Sequence, residues 1–198
     1  MRRLAPAILV LPLLLGCPEE VDDFNDLLPL DVGNLWEYDS DADDERWSIE
    51  IADGVGFDGA ASYDFTIEVG GVTYEPHDLT MGEDGWTEVN PSDEVPDLFL
   101  RLPAEEGFVW EFEFTGNNDS YSTMSYESRQ DLSTPAGDFE NTWEVLRDKR
   151  SIYGTTEFTQ VVRDWYAPGV GLIRRIITNN EGENTTLVLT AFELVVDE

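Results

Sequence analysis

Cysteine, histidine and lysine each occur once in this chain, as Cys17, His77 and Lys149. One cysteine cannot form an internal disulfide or a thiolate metal cage. One histidine leaves little material for a hydrolase triad, which needs a base beside an activated nucleophile. His77 stands in EPHD with no G-x-S-x-G elbow nearby, and it reads as a solvated turn residue rather than a general base. Cations are scarce altogether, 11 Lys and Arg against 43 Asp and Glu, so nucleic acid is excluded as a partner on charge alone. A long apolar run is also missing. Leu4 to Leu15 is interrupted by Pro6 and Pro12 and falls short of the roughly 20 residues a membrane-spanning helix requires.

That short run still has a meaning. Arg2 and Arg3 precede it, and the pattern of residues 1–16, MRRLAPAILVLPLLLG, is that of a secretory signal peptide. Its end, Leu14-Leu15-Gly16-Cys17, resembles the bacterial lipobox. The resemblance implies diacylglycerol on the Cys17 thiol, cleavage before it, and acylation, palmitate included, of the new N-terminus. One acyl chain binds membranes marginally, whereas two or three anchor stably. The partner expected is therefore a membrane, reached through the N-terminal lipid. The twin arginines lack the longer polar motif of a Tat signal, so Sec export is expected. The address expected is the bacterial envelope, at the outer membrane (periplasmic face or cell surface) rather than the inner. With Cys17 lipidated no thiol remains for a nucleophile or a metal.

Without the leader the net charge falls to −34, nine cations against 43 acids. Aromatics are plentiful despite that charge, 6 Trp, 7 Tyr and 10 Phe, which argues for a packed core rather than disorder. Residues 17–26, CPEEVDDFND, read as an acidic tether, and 27–198 as a single β domain. The carboxylates keep such a domain hydrated; they also leave cation binding open.

Period-2 alternation dominates from there on. Trp47, Ile49 and Ile51 alternate with polar neighbours, as do Tyr63, Phe65, Ile67 and Val69 before the turn signal Gly70-Gly71. Phe108, Trp110, Phe112 and Phe114 form another strand, followed by strands at 158–166, 172–178 and 185–196. No capped helical stripe is present. The fold class expected is all-β, a curved antiparallel sheet or half-barrel. An internal repeat supports two similar meanders, 29–102 and 103–178, with a closing C-terminal hairpin. PLDVGNLWEY at 29–38 matches PAEEGFVWEF at 103–112, Thr66 to Val69 matches Thr142 to Val145, and Leu98 to Arg101 loosely matches Leu172 to Arg175. Gly33 and Gly107, each just before a strand, are expected at positive φ, with the tryptophan three residues on in the core.

Three segments, LPLDVGNLWEY at 28–38, STPAGDFENTWEV at 133–145 and DWYAPGVGLIRR at 164–175, resemble the signatures of a broad family of bacterial lipoproteins, TapB-like and related to LolA-like half-barrels. The resemblance implies a lipid-anchored curved sheet with no established activity and no catalytic residues to transfer. The chain departs from that pattern in its acidity and in Arg174 and Arg175, where a lysine is common.

One acidic cluster has metal-ligand spacing. In DSDADDERWSIE, Asp39, Asp41, Asp43 and Glu50 take positions 1, 3, 5 and 12 of a calcium loop. Asp44 stands where that loop requires glycine, and a plain acidic hairpin is the competing reading. Calcium is thus the one cofactor considered; otherwise none is expected, and neither is catalysis. The function expected is a non-enzymatic envelope module that binds an apolar ligand or a protein partner, the alternative being a structural, assembly or calcium-dependent surface protein.

Overall fold

The computed structural model describes residues 27–41, 46–53, 62–73, 77–81, 85–90, 95–101, 104–114, 119–153 and 155–195. The leader, the tether, Cys17 and Asp43 lie outside these residues.

The chain forms one antiparallel sheet in two meanders. The first comprises β1 (Leu35–Ser40), β2 (Arg46–Asp53), β3 (Ser62–Val69), β4 (Val72–Thr73), β5 (His77–Met81), β6 (Gly85–Asn90) and β7 (Val95–Arg101). The second comprises β8 (Val109–Phe114), β9 (Asp119–Thr134), β10 (Gly137–Tyr153), β11 (Thr156–Ala167), β12 (Gly171–Thr178) and β13 (Asn184–Glu193). Strand order is β7-β6-β5-β3-β2-β1-β13-β12-β11-β10-β9-β8, with β4 beside β3. The chain therefore starts mid-sheet, meanders to one edge, crosses to the other and meanders back. The closing hairpin β12–β13 is continuous with the second meander, and β13 ends beside β1, with Tyr38 opposite Leu189 and Trp36 opposite Phe192.

The sheet curls without closing. Among the described residues no ladder joins β7 to β8, yet the two edges converge: the Tyr126 hydroxyl on β9 donates to the Arg101 carbonyl at 2.8 Å, and the Arg101 guanidinium lies 5.5 Å from the centre of the Phe108 ring. The β9–β10 hairpin bends back as well. Its bulge holds Asn141 at φ +56, a conformation asparagine tolerates, with the Asn141 N–H donating to Asp131 Oδ1. The tip then reaches β13, where the Ala136 N–H donates to the Leu189 carbonyl and Phe139 meets Phe192 at 6.2 Å.

The concave face carries the core. Trp36, Tyr38, Ile51, Tyr126, Trp143 and Leu189 are each at most 2% exposed. Trp110, Tyr126 and Trp143 form a row at centroid spacings of 5.1 and 5.4 Å, each contact worth about 0.5–1.5 kcal/mol beyond the area it buries.

Each meander opens with the same turn. The Asn34 N–H donates to the Asp31 carbonyl and the Phe108 N–H to the Glu105 carbonyl, both at 3.0 Å. Gly33 at φ +96 donates to the Ile51 carbonyl, and Gly107 at φ +78 to that of Tyr126. Trp36 and Trp110 follow, both 2% exposed. Thr66 and Thr142 lie on the third strand of their meanders, β3 and β10. Leu98 and Leu172 do not correspond in this way, for β7 is the last strand of its meander and β12 the last but one.

The β11–β12 corner, Ala167-Pro168-Gly169-Val170-Gly171, receives Trp36. Its indole N–H donates to the Val170 carbonyl at 2.6 Å, and the Tyr38 hydroxyl donates to the Leu172 carbonyl at 2.8 Å. Gly171 sits at φ +102, and a Cβ there would lie 3.3 Å from Trp36 Nε1. Gly171→Ala therefore combines backbone strain with a clash and should cost about 3 kcal/mol in urea unfolding. Gly107→Ala, at positive φ but with no atom within 4 Å, should cost about 1 kcal/mol.

Candidate functional site

In the middle of β11 the sequence VVRDWYA places an aspartate between an aliphatic and an aromatic residue. Alternation sends Val162, Asp164 and Tyr166 to the concave face and Arg163 and Trp165 to the convex one. The Asp164 side chain is only 4% exposed. A carboxylate in such a place must be paired and hydrogen-bonded. Arg175, opposite it on β12, supplies both: its Nε donates to Oδ1 at 2.7 Å and its Nη2 to Oδ2 at 2.8 Å. That forked geometry is available to arginine and not to lysine. The Tyr166 hydroxyl approaches Asp164 Oδ2 at 3.4 Å.

Burial pushes the Tyr38 hydroxyl far above its ordinary pKa. The same holds for Tyr166, where burial comes first and the Asp164 charge second, opposed by Arg175 and by Arg147 on β10. Tyr126 is raised by burial too. The concave face thus holds a desolvated cluster of one acid, two arginines and two protonated tyrosines. On the convex side Arg174 lies over Trp165 at 5.1 Å, and Arg163 pairs with Glu144 at 2.6 Å.

The three signature segments of the sequence converge here. Trp36 and Tyr38 dock on the β11–β12 corner, and the tip of STPAGDF reaches Leu189 beside them. Asp164 and Arg175 lie within the third segment, and their pairing was missed in the sequence. The signal was parity: an aspartate two residues before an inward tyrosine.

The acidic cluster at 39–50 is laid out along a hairpin. Asp39 pairs across the sheet with Arg46, and their side chains lie 3.9 Å apart at the surface. Asp41 Oδ1 accepts the Thr186 N–H at 2.6 Å, and that bond holds its carboxyl below the usual range. Glu50 stands opposite Leu35, four residues beyond Arg46 and so about 13 Å along the strand. Asp39 and Glu50 thus stand on paired strands, β1 and β2, and Asp43 lies outside the described residues. His77 opens β5 opposite Phe65, within a strand rather than a turn. A shallow cleft of about 260 Å³ on β1–β3 is lined by Glu37, Arg46, Ser48 and Glu68 among others.

No family model matches the sequence, and neither does any curated protein. The fold is shared with a solved structure. A candidate lipoprotein of Parabacteroides distasonis ATCC 8503 superposes with a TM-score of 0.58 at 12% identity, covering 83% of this chain and 96% of that one. A candidate exported protein with a YmcC-like fold from Bacteroides fragilis NCTC 9343 gives 0.49 at 12% identity, covering 83% and 97%. At this identity the likeness is one of fold: a curved antiparallel sheet.

Two outcomes follow. Asp164→Asn strands the Arg175 charge in the interior and should cost about 3–5 kcal/mol in chemical denaturation, whereas Asp164→Leu with Arg175→Met should regain most of that loss. The tyrosines set an alkaline limit. Their folded pKa values lie above the unfolded value of about 10, so their stabilisation is complete below pH 10 and is lost as pH rises beyond it. Tyrosinate absorbance of Tyr38, Tyr126 and Tyr166 should appear only together with unfolding.

Proposed function

We propose that this chain is a lipid-anchored, non-enzymatic module of the bacterial envelope, of the TapB-like kind. The observation that carries this reading is the junction Leu14-Leu15-Gly16-Cys17, directly after an arginine-led apolar leader and before an acidic stretch. The fold adds support, being shared with a candidate lipoprotein over most of both chains. A thiol carrying diacylglycerol, with a third acyl chain on the adjoining amine, holds the domain at a membrane surface. Residues 18–26 lift it clear, and the outer membrane is the site we assign.

The described part of the concave face is filled with side chains from Trp36 to Leu189, so it offers no open apolar groove there. Recognition of a protein partner through the carboxylate-rich exterior suits this arrangement better than carriage of an apolar ligand.

The test is a detergent phase partition of cells expressing the chain, with mass spectrometry of the product. The wild-type protein should enter the detergent phase with residues 1–16 removed and acyl mass on Cys17. Cys17→Ser should move it to the aqueous phase without acyl mass. Wild-type protein that stays aqueous with a free thiol would refute the anchor.

A further inference from the structure

The only lysine of the chain pairs with no acid among the described residues. Lys149 is half-buried on β10, and among the described residues it makes no ion pair or hydrogen bond, although the chain carries 43 carboxylates. Four arginines are matched with acids, Arg46 with Asp39, Arg150 with Glu157, Arg163 with Glu144 and Arg175 with Asp164, and three more lie over aromatic rings, Arg101 on Phe108, Arg129 on Trp143 and Arg174 on Trp165.

Register explains how Lys149 escapes. Its cross-strand neighbours are Ser122 on β9 and Gln160 on β11. The next inward row, two residues along, is Met124, Arg147 and Val162; the row after that holds Val145, Asp164 and Arg175. Ser122, Met124, Val145 and Val162 are buried, which marks these rows as the concave face. Across them stand three cations, Lys149, Arg147 and Arg175, and a single acid, Asp164. Of the four acids of β10, the two in this stretch, Glu144 and Asp148, have the opposite parity and face outward. In a chain of formal charge −32, the described residues of these rows thus carry more cations than acids.

We propose that this face binds an oxyanion, a phosphate or carboxylate group, with Lys149 as its principal charge and Arg147 behind it. Lys149 and Arg147 are about 6.6 Å apart along β10, a spacing at which both can reach one such group. The site goes beyond the anchored-module reading and does not rest on it, because lipidation at Cys17 plays no part.

The experiment is calorimetric titration of the full chain carrying Cys17→Ser with three probes: inorganic phosphate, dodecyl phosphate below its micellar concentration, and dodecyltrimethylammonium. Saturable heat with dodecyl phosphate alone assigns the site to the head group of an amphiphile. Heat with both phosphates assigns it to the free oxyanion. Lys149→Glu should raise the dissociation constant at least tenfold and Lys149→Gln about threefold, with unchanged thermal midpoints. Arg150→Glu, one residue on and facing outward, should leave it within twofold. No heat with either phosphate, equal binding of dodecyltrimethylammonium, or equal losses in Lys149→Glu and Arg150→Glu would overturn the proposal.

Discussion

The fold depends on β1 being held from two directions at once. Among the described residues the one ladder between the two meanders is β1 against β13; every other ladder lies within a single meander. Trp36 and Tyr38 reinforce that seam by reaching the backbone of the β11–β12 corner, 134 residues away in sequence in both cases. These bonds matter because both donors are buried, and an unpaired buried donor costs about 1–3 kcal/mol. The β9–β10 tip adds a third attachment at Leu189. Three stretches that look like separate signatures in the sequence are thus one contact, and Gly171 is glycine because the indole of Trp36 occupies the place of its side chain.

The class of fold was legible from alternation, because a sheet with one buried face writes its register into the sequence. The strands at Arg46–Asp53, Ser62–Val69 and Val109–Phe114 and the C-terminal hairpin could be read that way, and the turn glycines at 33 and 107 from the repeat. The two longest strands were far less legible. β9 is DSYSTMSYESRQDLST, polar at most positions, because its inward residues include Ser122 and its register slips near Trp143 and Val145. A polar strand can be this long when it lies between neighbours on both sides, and those neighbours are set by topology rather than by local composition. The ion pair was hidden for a related reason. Asp164 in VVRDWYA resembles a surface residue until Arg175 is known to stand opposite, and that register is offset by a bulge between Trp165 and Tyr166. The calcium spacing shows the opposite limit: twelve residues counted along a line do not show that two strands, β1 and β2, pair through part of them.

Charge and alternation together account for the character of the molecule. Self-repulsion among so many carboxylates opposes compaction, and exposed ion pairs of the Arg150–Glu157 type return well under 1 kcal/mol each. Cohesion must come from contacts that salt and distance do not weaken: the aromatic row, the Trp36 corner and the desolvated fork of Arg175 on Asp164. Period-2 geometry makes this compatible with a highly acidic sequence. It turns a linear alternation such as Glu144-Val145-Leu146-Arg147-Asp148-Lys149 into two faces of opposite character, acids toward water and cations toward the hollow of the sheet. A single-residue slip in β10 would exchange them, placing carboxylates in the core beside Asp164 and cations among the outer acids. The acidity of the exterior therefore constrains register as firmly as the hydrophobic core does: each carboxylate that would have to turn inward penalises the wrong pairing.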